Sequence, residues 1–200
     1  GGQPARYVLL GLGKLGGREM SYNSDLDIIL VYEGDGSTRP ITVEDLQEEA
    51  GRCALGSFRT RPVRLQNERT NNFHFFSELA QRLIRILDHH GPYGRLYAVD
   101  MRLRPTGRSG SLVVPLEEFR RYYEQGKAQL WERQALTRAR VVYGAADLGS
   151  EVMRVVHQAV YGLSWDPHYV DEIASMRRRL QESRNERDLK RGFGGIGDIE

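Results

Sequence analysis

The sequence predicts an α+β fold, in which a mixed sheet with helices extends to about residue 144 and a helical region follows it. Two apolar runs, residues 7–10 and 26–32, have the composition of buried strands. Residues 73–87 carry apolar side chains at every third or fourth position, which is the period of an amphipathic helix. We therefore expect one domain at 1–144, and at 145–200 the start of a helical domain that the C-terminus cuts off.

The first half of the chain is predicted to run from strand to glycine turn, short helix and second strand. Residues 11–16 have the form G-x-G-x-x-G, and the helix at 14–22 is weakened by its glycines. Residues 34–72 show no clear period and are predicted to be an inserted loop region. Within it we expect one short helix at 44–54 and a solvated face of arginines at 59, 61, 64 and 69.

The second half begins with the helix at 73–87 and a turn at 91–94, and it continues with a strand of strict alternation. One face of that strand would carry Tyr97, Val99, Met101 and Leu103, and the other would carry Asp100, Arg102 and Arg104. A further short strand is expected at 112–114. The predicted helices then lie at 116–125, 128–143, 150–161 and 168–183, and Asp166-Pro167 would cap the last of them.

Composition excludes several classes of protein. The 29 basic and 27 acidic residues nearly balance, so bulk charge indicates neither a nucleic-acid nor a membrane partner. A single cysteine, Cys53, excludes an internal disulfide and fits a reducing compartment. No apolar run approaches the roughly 18 residues of a membrane span, and no signal peptide is evident. These features predict a cytoplasmic location.

The glycine motif alone would suggest a dinucleotide-binding turn, but the order of the following acids argues against it. In that fold the ribose-binding acid lies at the carboxyl end of the second strand, about 20 residues on. Here Asp25 and Asp27 come before the apolar residues 28–32. The helix between turn and strand is also too short to cross over a parallel sheet.

Asp25 and Asp27 instead predict a metal site, because residues i and i+2 of a strand face the same side. Carboxylates roughly 6–7 Å apart repel by roughly 2.5 kcal/mol at an effective dielectric of about 20. Solvent at an exposed edge would screen that repulsion, so a plain surface pair is the alternative. A Mg²⁺ ion would remove it, and a glycine turn could approach the phosphates that accompany Mg²⁺.

Asp100 is the candidate third carboxylate, since it is the only acid on its strand. The alternative is a structural salt bridge to Arg102 or Arg104, but strand partners at i and i+2 are expected to splay. A face with one carboxylate for metal and two guanidiniums for phosphate accounts for all three residues. Three carboxylates around two metal ions is an arrangement of phosphoryl-type transfer.

The motifs resemble known families. Gly13-Lys14 followed by Ser24-Asp25-Leu26-Asp27 resembles the polymerase-β-like nucleotidyltransferase superfamily, although Lys14 stands where that superfamily usually has serine. The blocks "GLGKLGGREMSYNSDLDIILVYE", "YAVDMRLRPTGRSGSLV", "LWERQALTRARVVYG" and "DLKRGFGGIGDIE" resemble, in order, a catalytic half of the glutamine synthetase adenylyltransferase family.

The resemblance implies a polymerase-β-like nucleotidyltransferase fold that uses two Mg²⁺ ions and ATP and acts on glutamine synthetase, with the PII signal protein as a further partner. Asp25, Asp27 and Asp100 would be catalytic metal ligands. The nucleotide would be bound by Gly13, Lys14, Ser24, Arg102, Arg104 and Lys190.

The resemblance is greater to the adenylylating half, which adds AMP to a tyrosine, than to the half that removes it by phosphorolysis. The distinguishing segments are "WERQALTRARVVYG" and "GGIGDIE". The first is expected to be a helix that shapes the acceptor side, with a Glu132–Arg140 ion pair and a core stripe that includes Val142. Deadenylylation, an inactive regulatory module and a nucleotidyltransferase acting on small molecules or RNA remain the alternatives.

Overall fold

The computed structural model describes residues 5–22, 24–38, 69–92, 94–95 and 97–182. The strands are β1 (Tyr7–Gly11), β2 (Asp25–Tyr32), β3 (Ala98–Asp100), β4 (Val113–Pro115) and β5 (Arg140–Gly144). The helices are α1 (Gly13–Gly17), α2 (Asn72–Leu87), α3 (Leu116–Glu124), α4 (Leu130–Leu136), α5 (Ala146–Tyr161) and α6 (His168–Glu182), with a 3-10 turn at Gly107–Ser109.

The predicted mixed sheet is confirmed. Strand β1 lies between β2 and β5 and is antiparallel to both. The other edge of β2 pairs in parallel with two strands, first with β3 and further along with β4. The order is therefore β3-β2-β1-β5, with β4 beside the second half of β2.

Helices cover both faces of the sheet, because the side chains of β1 and β2 alternate between two apolar clusters. Val8, Leu10, Ile29 and Val31 pack in one cluster with residues of α3, α4 and α5. Ile28, Leu30 and Tyr32 pack in the other with α2, where the ring of Phe76 stacks on that of Tyr32 at 4.8 Å between centroids. With both faces covered, β2 is buried from Ile28 to Tyr32.

Most of the predicted helices are confirmed, with boundaries that shift by a few residues. Helix α1 is shorter than expected and stops at Arg18, whose backbone is left-handed. The cap predicted for α6 is present, since the amide of His168 donates to Oδ1 of Asp166 at 2.9 Å. The predicted helix at 44–54, and the arginines at 59, 61 and 64, lie outside the described residues.

The helix predicted at 128–143 is wrong in its second half. Helix α4 ends at Leu136, and Arg140–Gly144 forms β5. Three β-branched or aromatic residues, 141–143, suit a strand, and the edge of β1 pairs with Arg140, Val141, Tyr143 and Gly144. Val142 is consequently 42% exposed on an edge strand and is not part of a helical core stripe.

The expected Glu132–Arg140 ion pair is also wrong. Glu132 is buried in α4 and accepts hydrogen bonds from the Tyr122 hydroxyl at 2.8 Å and from the Gln129 amide at 2.8 Å. Arg140 lies on β5 and contacts α1 instead.

The predicted division at 144 stays a prediction, although α5 contributes Val152 and Val156 to the same core as β1. Among the described residues, no helix is long and apolar enough to cross a membrane.

Candidate active site

The glycine motif forms a tightly packed loop between two strands. A Cβ at Gly16 would lie 1.9 Å from the carbonyl oxygen of Arg138, and one at Gly11 would lie 2.7 Å from Cγ2 of Val142. Gly13 has a positive φ of 49°, and a Cβ there would lie 2.5 Å from Oδ2 of Asp27. The motif is therefore explained by close packing, with Gly13 against a candidate metal ligand.

Strand register brings the three predicted carboxylates to one end of the sheet. Asp27 pairs with Asp100 across β2 and β3, and Asp25 pairs with Ala98. Because paired residues of neighbouring strands share a face, all three carboxylates lie on one side. The loop joins this arrangement through the amide of Leu12, which donates to the Asp27 carbonyl at 2.9 Å.

Arg102 is bound to Asp100, so the expectation that these two side chains splay is wrong. Its Nε donates to Oδ1 at 2.9 Å and to Oδ2 at 2.7 Å, its backbone amide donates to Oδ1 at 2.8 Å, and Nη2 also contacts Oδ2. The strand ends at Asp100, and the turn that follows folds Arg102 back onto it.

The contact between Asp100 and Arg102 favours the charged form of both side chains. The hydrogen bond from Arg102 lowers the pKa of Asp100 below its usual value. The pKa of Arg102 is raised, first by its bond to Asp100 and further by the charges of Asp25 and Asp27. The Arg102 side chain is 59% exposed, so the guanidinium that balances these carboxylates is also open to a ligand.

Arg104 does not share the open face of Asp100, which corrects the predicted alternation. It is only 9% exposed and donates to three backbone carbonyls, those of Met101 at 2.6 Å, Ser111 at 2.8 Å and Gly110 at 3.2 Å. Burial lowers the pKa of its guanidinium. Arg104 thus braces the loop that follows β3.

A hollow of about 390 Å³ opens beside these residues. Asp25 and Asp100 line it together with three arginines, Arg102, Arg104 and Arg108. The sequence prediction omitted Arg108, because only alternation with Asp100 was used to select the arginines. The hollow thus combines carboxylates for a cation with the exposed guanidiniums of Arg102 and Arg108 for an anion, whereas that of Arg104 is bound to backbone carbonyls.

Ser21, in the turn before β2, contacts both Lys14 and Ser24. Lys14 Nζ donates to the Ser21 hydroxyl at 3.3 Å, and the hydroxyls of Ser21 and Ser24 are 3.0 Å apart. Ser24 is 5% exposed and accepts from the Ser21 amide at 3.1 Å, so its hydroxyl lies within the turn. Lys190 lies outside the described residues.

The donor set fits a hard divalent cation in its chemistry, since carboxylate oxygens are the ligands that Mg²⁺ prefers. As the side chains stand, no group of three or more His, Cys, Asp or Glu in the described part of the chain is arranged to hold a metal ion. Asp100 is bound to Arg102 instead. Both oxygens of Asp100 thus already accept from a cation, the guanidinium of Arg102.

The mixed sheet, the glycine loop and the carboxylates at the β2–β3 edge define an α+β nucleotidyltransferase domain. Comparison with known families agrees. The profile of the glutamate-ammonia ligase adenylyltransferase family matches residues 1–56 and 59–155, and the chain belongs to this family.

Relatives named bifunctional glutamine synthetase adenylyltransferase/adenylyl-removing enzyme align with nearly the whole chain. The protein of Chromobacterium violaceum is 38% identical over 198 residues, which are 98% of this chain. That of Thioalkalivibrio sulfidiphilus is 36% identical over 203 residues, 100% of this chain. The chain spans 18% of the length of each of these relatives.

Proposed function

We propose that this chain is a catalytic unit that transfers AMP from ATP to a tyrosine hydroxyl of glutamine synthetase, with two Mg²⁺ ions. The observation that carries the proposal is the register of Asp27 with Asp100, with Gly13 packed against Asp27. Membership of an adenylyltransferase family supports the reaction type, and the names of the relatives support the protein substrate. The PII signal protein and a cytoplasmic location stay predictions.

In this proposal Asp25, Asp27 and Asp100 would hold the metal ions. Bound Mg²⁺ would supply charge stabilisation at the reacting phosphate. The tyrosine hydroxyl would lose its proton to solvent, and a bond would form between its oxygen and the α-phosphorus of ATP. The bond from the α-phosphorus to the oxygen that bridges it to the β-phosphorus would break, and pyrophosphate would leave with the electron pair.

The cationic and loop residues would bind the triphosphate. Arg102 would exchange Asp100 for phosphate oxygens, because its guanidinium is exposed and suits either anion. Lys14 lies on the loop beside Asp27 and would bind a phosphate as a point charge. Ser24 and Arg104 would act through the backbone that they hold, since their polar atoms bond within their own segments.

Removal of AMP by phosphorolysis is the second candidate, because the names of the relatives include both activities. The same aspartates would serve either direction. Our choice of adenylylation rests on the resemblance in the segments 131–144 and 194–200. An inactive module is less well supported, since the three aspartates share one face of the sheet.

The test compares the two directions directly. Unmodified glutamine synthetase is incubated with α-labelled ATP and Mg²⁺, and adenylylated enzyme is incubated with phosphate; RNA replaces the acceptor in a control. We expect label on glutamine synthetase, and a loss of at least about 10²-fold in Asp27→Asn. Release of ADP in the second assay alone would assign deadenylylation, and label on RNA alone would refute the protein acceptor. Absence of both reactions in the folded chain would indicate an inactive module.

A further inference from the structure

Arg140 reaches the glycine loop from β5, and the proposed chemistry assigns it no role. Its Nη2 donates to the carbonyl of Leu15 at 2.8 Å and its Nε to that of Gly16 at 3.1 Å. Its backbone pairs with Gly11, the last residue of β1 before the loop. The side chain therefore bridges a strand at one side of the sheet and the helix of the loop.

Helix α1 depends on contacts of this kind because it has only five residues. A helix this short is unstable alone, and the carbonyl of Leu15 near its end has only a long backbone hydrogen bond, from the Arg18 amide at 3.4 Å. A cation that donates to the last carbonyls adds hydrogen bonds there and also complements the negative end of the helix dipole. Arg140 occupies this place.

The loop lies between two constraints. On one side, Gly16 packs against the carbonyl of Arg138 so closely that a Cβ would lie 1.9 Å away. On the other side, Gly13 packs against the carboxylate of Asp27. A displacement at the end of α1 that Arg140 holds would therefore be passed to the contact between Gly13 and Asp27.

We propose that Arg140 is a positioning residue that holds the Gly13–Gly17 loop against Asp27 and keeps Lys14 at the nucleotide. The effect of Arg140 on turnover rests on the proposed function, whereas its role in holding the loop does not. A misplacement of about 1 Å can cost about 10²-fold in rate, so a contact remote from the reacting atoms can control turnover.

The experiment compares three variants of the full chain. Arg140→Met removes both hydrogen bonds while keeping an aliphatic stem, and Arg140→Lys keeps a charge with fewer donors. Arg138→Met is the matched control, because Arg138 also contacts this region but does so through an exposed ion pair with Glu19 at 2.7 Å. Hydrogen exchange is followed at the amides of Gly16 and Glu19, which bond to Leu12 and Lys14. The kcat and the KM for ATP are measured alongside.

For Arg140→Met we expect about tenfold faster exchange at these two amides, unchanged protection of β1 and β2, and a kcat lower by about 10- to 10²-fold. Arg140→Lys should be intermediate and Arg138→Met close to wild type. Wild-type exchange in Arg140→Met, or equal loss of protection in β1 and β2, would overturn the proposal, as would unchanged kcat and KM.

Two further outcomes are decisive. If the wild-type chain transfers no AMP, the proposed function fails, and the exchange data alone decide whether Arg140 holds the loop. If Arg140→Met does not fold, Arg140→Lys decides, and wild-type exchange and turnover in that variant would overturn the proposal.

Discussion

At Gly13 a positive φ of 49° coincides with a close contact, because a Cβ would lie 2.5 Å from Oδ2 of Asp27. Gly34 has a similar φ of 43°, but no atom of the described residues lies within 4 Å of its Cβ position. Alanine at either position should cost about 1–2 kcal/mol of unfolding free energy through the backbone alone. Only Gly13→Ala should also displace Asp27 and lower AMP transfer by about 10²-fold.

Urea unfolding and transfer assays on Gly13→Ala and Gly34→Ala separate these effects. Gly34→Ala serves as the control for the backbone penalty. Equal turnover in the two variants would show that the contact between Gly13 and Asp27 is irrelevant to the chemistry.

Arg102 donates to both carboxylate oxygens of Asp100, so we predict that it competes with a metal ion for them. Without nucleotide, we expect Arg102→Met to bind Mn²⁺ several-fold more tightly than the wild type, because the competing cation is gone. The same variant should transfer AMP more slowly, because it lacks the guanidinium that would bind a phosphate. Arg108→Met is the control, because Arg108 lines the same hollow and lowers the pKa of Asp100 by its charge alone. A Mn²⁺ titration of each variant makes the comparison, and unchanged affinity in Arg102→Met would refute the competition.

The sequence could predict where the aspartates lie but not where the arginines lie. A strand period of two placed Asp25 and Asp27 on one face, and the register with Asp100 bears this out. The same period failed beyond Asp100, because β3 ends there and the chain turns. The burial of Arg104 could not be predicted from the sequence, because it depends on the loop that folds back over this side chain.

At the scale of elements, the second half of the predicted helix 128–143 shows how a distant partner decides local structure. The segment has apolar residues at helical spacing and also a β-branched run, so its period fits either element. The unpaired edge of β1 resolves the ambiguity in favour of β5. Nothing within the segment itself encodes that edge, and the contact of Arg140 with α1 was unpredictable for the same reason.

Three helices are joined at one buried arginine. Arg133 in α4 is 7% exposed and donates at 2.8 Å to the carbonyls of Tyr123 in α3 and Ala159 in α5. Its replacement leaves both carbonyls without that donor. We expect Arg133→Met to lower the free energy of unfolding by about 2–4 kcal/mol.

Urea denaturation measures this loss, and the exposed Arg154 on α5 supplies the control. Arg154→Met should change the unfolding free energy by no more than about 0.5 kcal/mol. A similar small change in Arg133→Met would show that the three helices do not depend on this side chain.

At the scale of the whole molecule, the α+β class followed from long, strongly patterned segments such as α2 and β2. Such patterns are evident in the sequence because each of these elements buries an apolar face. The sequence was less informative about how α5 joins the rest. Its residues 152 and 156 pack in the same core as β1, and this depends on helix packing rather than on local pattern.

Metal binding should appear in the melting temperature of the whole chain. A ligand at 100 times its Kd stabilises the folded state by about 2.7 kcal/mol, which for a chain of this size raises Tm by about 5–10 °C. We expect Mg²⁺ to produce this rise in the wild type and not in Asp27→Asn. Without Mg²⁺, Asp27→Asn should melt at or above the wild-type temperature, because one of three neighbouring negative charges is gone.

Thermal melts with and without Mg²⁺ test this, with Asp171→Asn on α6 as a control that removes an exposed carboxylate. Asp171→Asn should retain the full rise. The specific metal site is refuted if Asp27→Asn gains as much from Mg²⁺ as the wild type does. It is also refuted if the wild type gains nothing at concentrations that support transfer, since binding to the folded state alone must raise Tm.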